Sequence, residues 1–386
     1  MSNSNSKWSR RKFIINLSGA TAVLYASPML AFDNDTQETK IARIIAKTIG
    51  IDTHNHIDVP FKIADFKNQK YDLATEIKKS GLSAICMTFS VDRPNLTQEG
   101  EAYQRFLNSL DEMDAVLKDN NMERALSLAN LKKAHKKNKP IAIQSIEGGH
   151  FLEGHLERLE LAYHRGLRHL GLLHDNQSSV PIGDIYTNPP QFGGLTEFGK
   201  QIITEANKLG ILLDLTHASN DAINDSLAIS TKPILISHTG LDSQLGKNER
   251  MAKMMKPRLI SKEQAKIVAN AGGVIGVWTH LADSPLEYAH NIKAMVDVVG
   301  IDHVCIGTDT KMATANYPAS ENTNNGEANK KRERIGEKTN SAWENQKEGF
   351  FYSVVSALLE TGFNEDEIIK IGGANYCRIF DEATRL

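Results

Sequence analysis

The chain has 386 residues, 40% of them hydrophobic and 24% charged, with a formal net charge of -2. That balance belongs to a globular protein able to bury a large core; it excludes a disordered chain and a nucleic-acid binder, which would carry a basic stripe and a pI above about 9. Cys86, Cys305 and Cys377 stand far apart among apolar neighbours without Cys-x-x-Cys spacing, which predicts buried free thiols rather than a disulfide framework or a zinc knuckle.

At the N-terminus, Ser9-Arg10-Arg11-Lys12-Phe13-Ile14 leads into an apolar stretch ending near Ala31, with no acidic residue before Asp33. A basic start followed by an apolar run is the layout of an export signal, and the paired arginines point to the twin-arginine route. A membrane anchor fits less well, because Asn16, Ser18, Gly19 and Thr21 interrupt a stretch already short for a bilayer span. The expectation is a signal peptide over residues 1–31, passage through the twin-arginine export machinery, and a mature protein of residues 32–386 in the periplasm or outside the cell.

Beyond the signal, short apolar, β-branched runs recur at residues 50–58, 82–91, 140–147, 167–174, 210–217, 233–238, 273–279 and 303–309. Amphipathic stretches at 99–118, 195–208, 261–270 and 286–299 lie between them, and two more come after at 349–361 and 365–371. Alternating strand and helix patterns predict parallel strands with crossover helices, and eight of them predict an α/β fold closed as a single (β/α)₈ TIM barrel. Residues 310–347, rich in Asn, Lys, Glu and Thr and lacking periodicity, read as a long loop over the catalytic mouth, either a lid or an insertion without a role.

Active sites of this fold lie at the C-terminal strand ends. The sequence places polar residues there repeatedly: Asp52-Thr53-His54-Asn55-His56, Ser145-Ile146-Glu147, His174, Asp214-Leu215-Thr216-His217, Ser237-His238 and Thr308-Asp309. The period of two along a strand puts His54 and His56 on one face. A lone histidine is more often structural than a ligand, but this many strand ends of one barrel reverse that balance. Imidazoles with a carboxylate are the ligands of zinc or a similar divalent ion, and a carboxylate bridges two. The inventory predicts a two-metal site of His54, His56, Glu147, His217 and His238, in which two ions acidify a shared water for hydrolysis. No Gly-x-Ser-x-Gly elbow, phosphate-binding loop with Lys or dinucleotide fingerprint offers another chemistry.

At these residues the chain resembles the membrane (renal) dipeptidase family of the amidohydrolase superfamily. The likeness runs from about residue 51 to 380 and is carried by Ser145-Ile146-Glu147-Gly148-Gly149-His150, by Leu213-Asp214-Leu215-Thr216-His217-Ala218-Ser219, by Ile236-Ser237-His238 and by Gly372-Gly373-Ala374-Asn375. The resemblance implies that Glu147 bridges two zinc ions, that His54 binds one and that His217 with His238 binds the other. It implies further that His174 contacts the substrate carbonyl, that Arg258 holds the substrate's free carboxylate, and that Asp309 orients or deprotonates the attacking water. The chain departs from the family at His56, where His-x-His replaces His-x-Asp. The expected function is hydrolysis of small dipeptides. A different small amide, lactone or ester is the alternative within the class, a non-catalytic ligand-binding barrel the alternative outside it, and a homodimer is left open.

Overall fold

The computed structural model describes residues 36–57, 71–313, 337–344, 346 and 348–385. The chain divides into residues 1–36 and 37–386, and the second unit holds all the described strands and helices. The strands are β1 (Ile51–Ile57), β2 (Ala84–Ser90), β3 (Glu123–Arg124), β4 (Ile141–Glu147), β5 (Leu167–Gly171), β6 (Leu212–Asp214), β7 (Leu235–Thr239), β8 (Val274–Val277), β9 (Val304–Ile306) and β10 (Thr310–Ala313). Apart from the short β3, they are buried almost throughout, as strands covered on one face by helices and on the other by a barrel interior must be.

Every pairing is parallel, in the order β10-β1-β2-β4-β5-β6-β7-β8-β9, with β3 added beside β4. The two ends of this order are consecutive in sequence. β9 pairs with β8, the chain breaks step at residues 307–309, and β10 pairs with β1, so β9 and β10 are halves of one strand that closes the ring. The backbone amide of Gly307 donates to Val277 O at 3.2 Å and that of Asp309 to His54 O at 3.1 Å, one hydrogen bond to each side of the seam. The result is the expected (β/α)₈ barrel.

The helices begin where the sequence offers caps. Thr196 starts Glu197–Leu209, Ser261 starts Lys262–Asn270, Ser284 starts Pro285–Val299, and Asn364 with Glu367 forms a capping box on Glu365–Ile369; each side chain accepts a backbone N–H of the first turn. The helix read at 365–371 instead passes through a wider π turn at Lys370–Ala374 into a final helix, Asn375–Thr384. Tyr376, Ile379 and Phe380 of that helix pack with Ile51, Ala84, Ile141, Leu212, Leu235 and Val274, each the first residue of its strand. One end of the barrel is thereby closed by apolar contact, and the polar residues are left to the other.

The stretch read as a loop at 310–347 differs at both of its ends. Residues 310–313 are β10, because the open edge of β1 needs a backbone partner, and Met312 N also donates to Asn55 Oδ1 at 2.7 Å. Residues 337–344 are tied down by Lys311 N donating to Glu337 O at 2.9 Å and by the buried Trp343, whose Nε1 donates to Ala282 O at 3.0 Å. The remainder, 314–336 with 345 and 347, and the segment read as a signal, 1–31, lie outside the described residues. Cys86, Cys305 and Cys377 are buried free thiols.

The barrel is narrow beneath its polar end. Thr53 Oγ1 spans it, donating toward Ser237 O and Ile306 O, each at 2.9 Å. Gly276 and Gly307 face the same carbonyl so closely that an added Cβ would lie 1.9 and 1.7 Å from Ser237 O. Backbone cannot retreat there as a flexible side chain would. Gly307→Ala is therefore expected to destabilise the fold by about 3 kcal/mol or more, read as a lower midpoint of chemical denaturation; an unchanged midpoint would contradict the packing described.

Candidate metal centre

The strand ends deliver the predicted residues to one place. His54 and His56 lie two apart on β1, Glu147 ends β4, and His238 lies within β7. His174, His217 and Asp309 follow β5, β6 and β9, each three residues past the strand's last residue. His217 (φ 70°) and Asp309 (φ 56°) adopt the left-handed region, costly for any residue but glycine and of order 1–3 kcal/mol each. At both positions the chain turns sharply out of the strand while its side chain stays over the barrel mouth.

Around the buried Glu147 the imidazoles converge. Its Oε1 lies 2.7 Å from His217 Nε2 and 3.5 Å from the Nε2 of both His54 and His238; its Oε2 lies 3.2 Å from His174 Nε2 and 3.9 Å from His56 Nε2. Asp309 Oδ1 completes the other side, 3.0 Å from His56 Nε2 and 3.8 Å from His54 Nε2. Two pairs of ring nitrogens face each other at 3.2 Å, His54 with His56 and His217 with His238. Burial favours the neutral carboxyl of Glu147, yet His174, His54 and His217 hold its pKa well below the usual range. Burial likewise works against an ionised Asp309, but His238, His280 and His56 keep it charged. Burial lowers the pKa of His54 and His238. His217 goes the other way: burial opposes its charge, but Glu147 and Asp175 raise it to about 10.

The donor set fits divalent metal. Three overlapping groups, His54/Glu147/His238, His54/His56/Asp309 and Glu147/His174/His217, each bring one ligand atom per residue within 4.8 Å of the others. Nitrogens face nitrogens at hydrogen-bond distance around two carboxylates, an arrangement a cation satisfies better than protons can. The far ring nitrogens are held elsewhere: His174 Nδ1 by Asp92 (2.6 Å), His217 Nδ1 by Tyr186 Oη (2.7 Å) and Asp175 (3.2 Å), and the Nδ1 atoms of His54 and His238 by Ser237 Oγ. Outer partners of this kind orient metal-binding imidazoles.

Arg258 reaches the centre through one intermediary. Its Nη2 donates to Asp175 Oδ2 at 2.9 Å, Arg93 pairs with the same oxygen, and Asp175 Oδ1 meets His217. A cavity of about 50 Å³ lined by Tyr186, His217 and Arg258 adjoins it. Several residues beside the site escaped the sequence reading: Asp92, Asp175, Tyr186, and His280, whose Nε2 lies 2.8 Å from Asp309 Oδ2. Asp92 and His280 each lie just past a strand's C-terminal end, and Asp175 directly follows His174, positions that carried the signal. Tyr186 sits in a long connection and carried none.

A barrel with metal-competent histidines and carboxylates gathered at its strand ends defines a metal-dependent hydrolase. The chain belongs to the membrane dipeptidase family, peptidase family M19, whose model matches residues 38–321. Among solved structures, it is similar to an amidohydrolase from Pseudomonas aeruginosa at 23% identity, covering 89% of this chain and 98% of that one with a TM-score of 0.68. It is also similar to the probable dipeptidase PvdM from Pseudomonas aeruginosa, at 17% identity over 90% and 98% of the two chains, TM-score 0.69. A metallo peptidase from Rhodobacter sphaeroides, liganded with a phosphinate mimic of the dipeptide L-Ala-D-Ala, matches at 16% identity over 87% and 99%, TM-score 0.65. At such identities these likenesses show a shared fold.

The charge states have a measurable consequence. Without metal, His217 keeps its proton at neutral pH, being below its raised pKa of about 10, whereas His54 and His238 are neutral and Glu147 and Asp309 are ionised. A cation binding His217 at pH 7 must expel that proton, so about one proton should leave from this residue, and apparent affinity should rise with pH by roughly tenfold per unit below pH 10. Calorimetric titration of the stripped protein in buffers of different ionisation enthalpy reads this directly. Affinity independent of pH between 6 and 8 would show that His217 is already neutral.

Proposed function

We propose that this protein is a dipeptidase that hydrolyses the peptide bond of small dipeptides with two divalent ions, zinc being the expected metal. The observation that carries this reading is the contact chain from Arg258 through Asp175 to His217, which puts a half-buried guanidinium one carboxylate away from the ligand cluster. A dipeptide bound with its scissile bond at the centre has its free carboxylate only a few atoms away, within the span of that chain. The Rhodobacter neighbour, crystallised with a dipeptide mimic, supports the same substrate class.

In this reading His54 and His56 would hold one ion and His217 and His238 the other, with the Glu147 carboxylate available to both. When bound, the ions polarise the scissile carbonyl and lower the pKa of water. Asp309, ionised and anchored by His280, accepts the proton of the attacking water. His174 presents Nε2 toward the centre while Asp92 fixes its Nδ1, which suits it to hydrogen-bond the carbonyl oxygen as negative charge develops there. Arg258 exchanges its contact with Asp175 for the substrate's carboxylate and fixes which bond lies at the centre. His56, in place of the family's aspartate, favours a second reading with another small amide, lactone or ester. The reading is completed by export through the twin-arginine route to the periplasm, resting on residues 9–31. Among the described residues no helix is long and apolar enough to cross a membrane.

Arg258→Met is expected to lower kcat/KM for Ala-Ala-type dipeptides by about a hundredfold, the worth of a lost charge-assisted pair, while barely changing turnover of their C-terminal amides. Equal losses for both would remove the carboxylate from recognition and favour the second reading. Asp309→Asn should lower kcat by roughly 10²–10⁴, since an amide cannot accept the water's proton. Ion content measured on the same sample separates this from loss of metal, and near-normal kcat with full loading would exclude Asp309 as the base.

A further inference from the structure

Ser237 is not a ligand, yet its hydroxyl meets the outer, Nδ1 side of one ring from each half of the centre. Its Oγ lies 3.3 Å from His54 Nδ1 and 2.9 Å from His238 Nδ1. The other outer partners serve single rings, Asp92 that of His174, and Asp175 and Tyr186 that of His217.

The directions of these hydrogen bonds are fixed by elimination. An imidazole that offers Nε2 to a cation carries its hydrogen on Nδ1. Both rings then donate to Ser237 Oγ, and a hydroxyl has two acceptor positions and one hydrogen. With both positions filled, the serine hydrogen must go outward, and Thr216 Oγ1 at 3.3 Å is the neighbour that remains. Thr216 Oγ1 already accepts from Ser237 N at 2.8 Å and can place its own hydrogen on Asp214 Oδ1 at 2.7 Å. Asp214 is buried, takes two more backbone donors on Oδ1 from Thr216 and Ser237, each at 3.0 Å, and meets His169 with Oδ2 at 3.2 Å. Each hydroxyl in the series is fully used, and the only terminus is a carboxylate. The reverse arrangement would have Ser237 donate to a ring, moving that ring's hydrogen to Nε2. There it would point at the facing nitrogen of His56 or His217, 3.2 Å away, and displace the cation.

We infer that Ser237 is a positioning residue shared by the two ion sites, its hydroxyl fixing the tautomer of one histidine in each and relaying both to Asp214 through Thr216. This rests on the two-ion reading above. Its consequence is a linkage: a change at Ser237 acts on both ions together, although the residue touches neither.

The test uses the full chain, stripped with a chelator and reloaded with cobalt(II). The wild type should take up two ions. Ser237→Ala should weaken both by about 10- to 100-fold in competition with a chelator, the loss typical of an outer partner of a ligand histidine. In proton spectra of the cobalt form, the shifted ring N–H signals of His54 and His238 should exchange faster with water in Ser237→Ala, while that of His217 persists. Asp175→Asn should disturb the His217 signal and leave the other two. A merely structural role for the serine would not sort the signals in this way. Retention of both affinities within about twofold, or weakening of one ion alone, overturns the inference while leaving the two-ion reading intact. A wild type that binds a single ion overturns both. If Ser237→Ala does not fold, Thr216→Val, which removes the acceptor of the serine hydrogen, decides the matter: paired weakening supports the linkage, and one-sided or absent weakening overturns it.

Discussion

The structure depends on a buried carboxylate. Glu147 lies at the end of β4 with 5% of its side chain exposed, and an ionised group so placed is costly unless other charges and donors meet it. Four imidazole nitrogens come within 3.5 Å of it, from residues on or just beyond β1, β5, β6 and β7. No single strand supplies that environment. It exists only while the ring is closed, so the barrel and the centre stabilise or fail together.

Below the ligands lies a layer of buried polar groups that holds the strand ends. Asp52 accepts from Thr308 N (2.8 Å), Thr308 Oγ1 (2.6 Å) and Asn55 Nδ2 (2.8 Å), joining β1 to the seam between β9 and β10. Asp214 does the same work across the barrel for β6 and β7. The two aspartates differ in how well their charge is stabilised. Burial works against ionisation at both, but His169 keeps Asp214 well below the ordinary range, whereas the hydrogen bonds to Asp52 offset burial only in part and its pKa rises to about 6. Hydrogen bonds of this kind across neighbouring strands make the layer rigid, and rigidity under the ligands keeps the nitrogens aimed when no cation holds them.

Strain is placed where the ligands leave the strands. His217 and Asp309 occupy backbone conformations that L-residues avoid, and both are held there by specific contacts: Tyr186 N donates to His217 O at 3.0 Å, and Asp309 N donates to His54 O. At Asp309 the same irregular step divides the last strand into β9 and β10. A continuous strand would alternate its side chains inward and outward; the break at 307–309 lets one chain segment pair with two neighbours and still deliver a carboxylate to the mouth.

The sequence determined much of this by local rules. Strand and helix runs were legible because burial imposes period 2 or 3.6, and His54, His56, Glu147, His174, His217, His238 and Asp309 were legible because they recur where apolar runs stop. Arg258 entered only through the family resemblance, which no local rule of the sequence supplies. Other features were not, because they are relations between segments far apart in the chain. That residues 310–313 form a strand is decided by the open edge of β1, near the other end of the chain, and not by their own unremarkable pattern. That Asp175 joins Arg258 to His217, that His280 holds Asp309, and that one serine hydroxyl serves two rings are facts about distances across the barrel mouth, which no spacing along the chain encodes. Periodicity records which side of an element is buried; which residues then meet is set by the closure of the ring, and closure is a property of the whole fold.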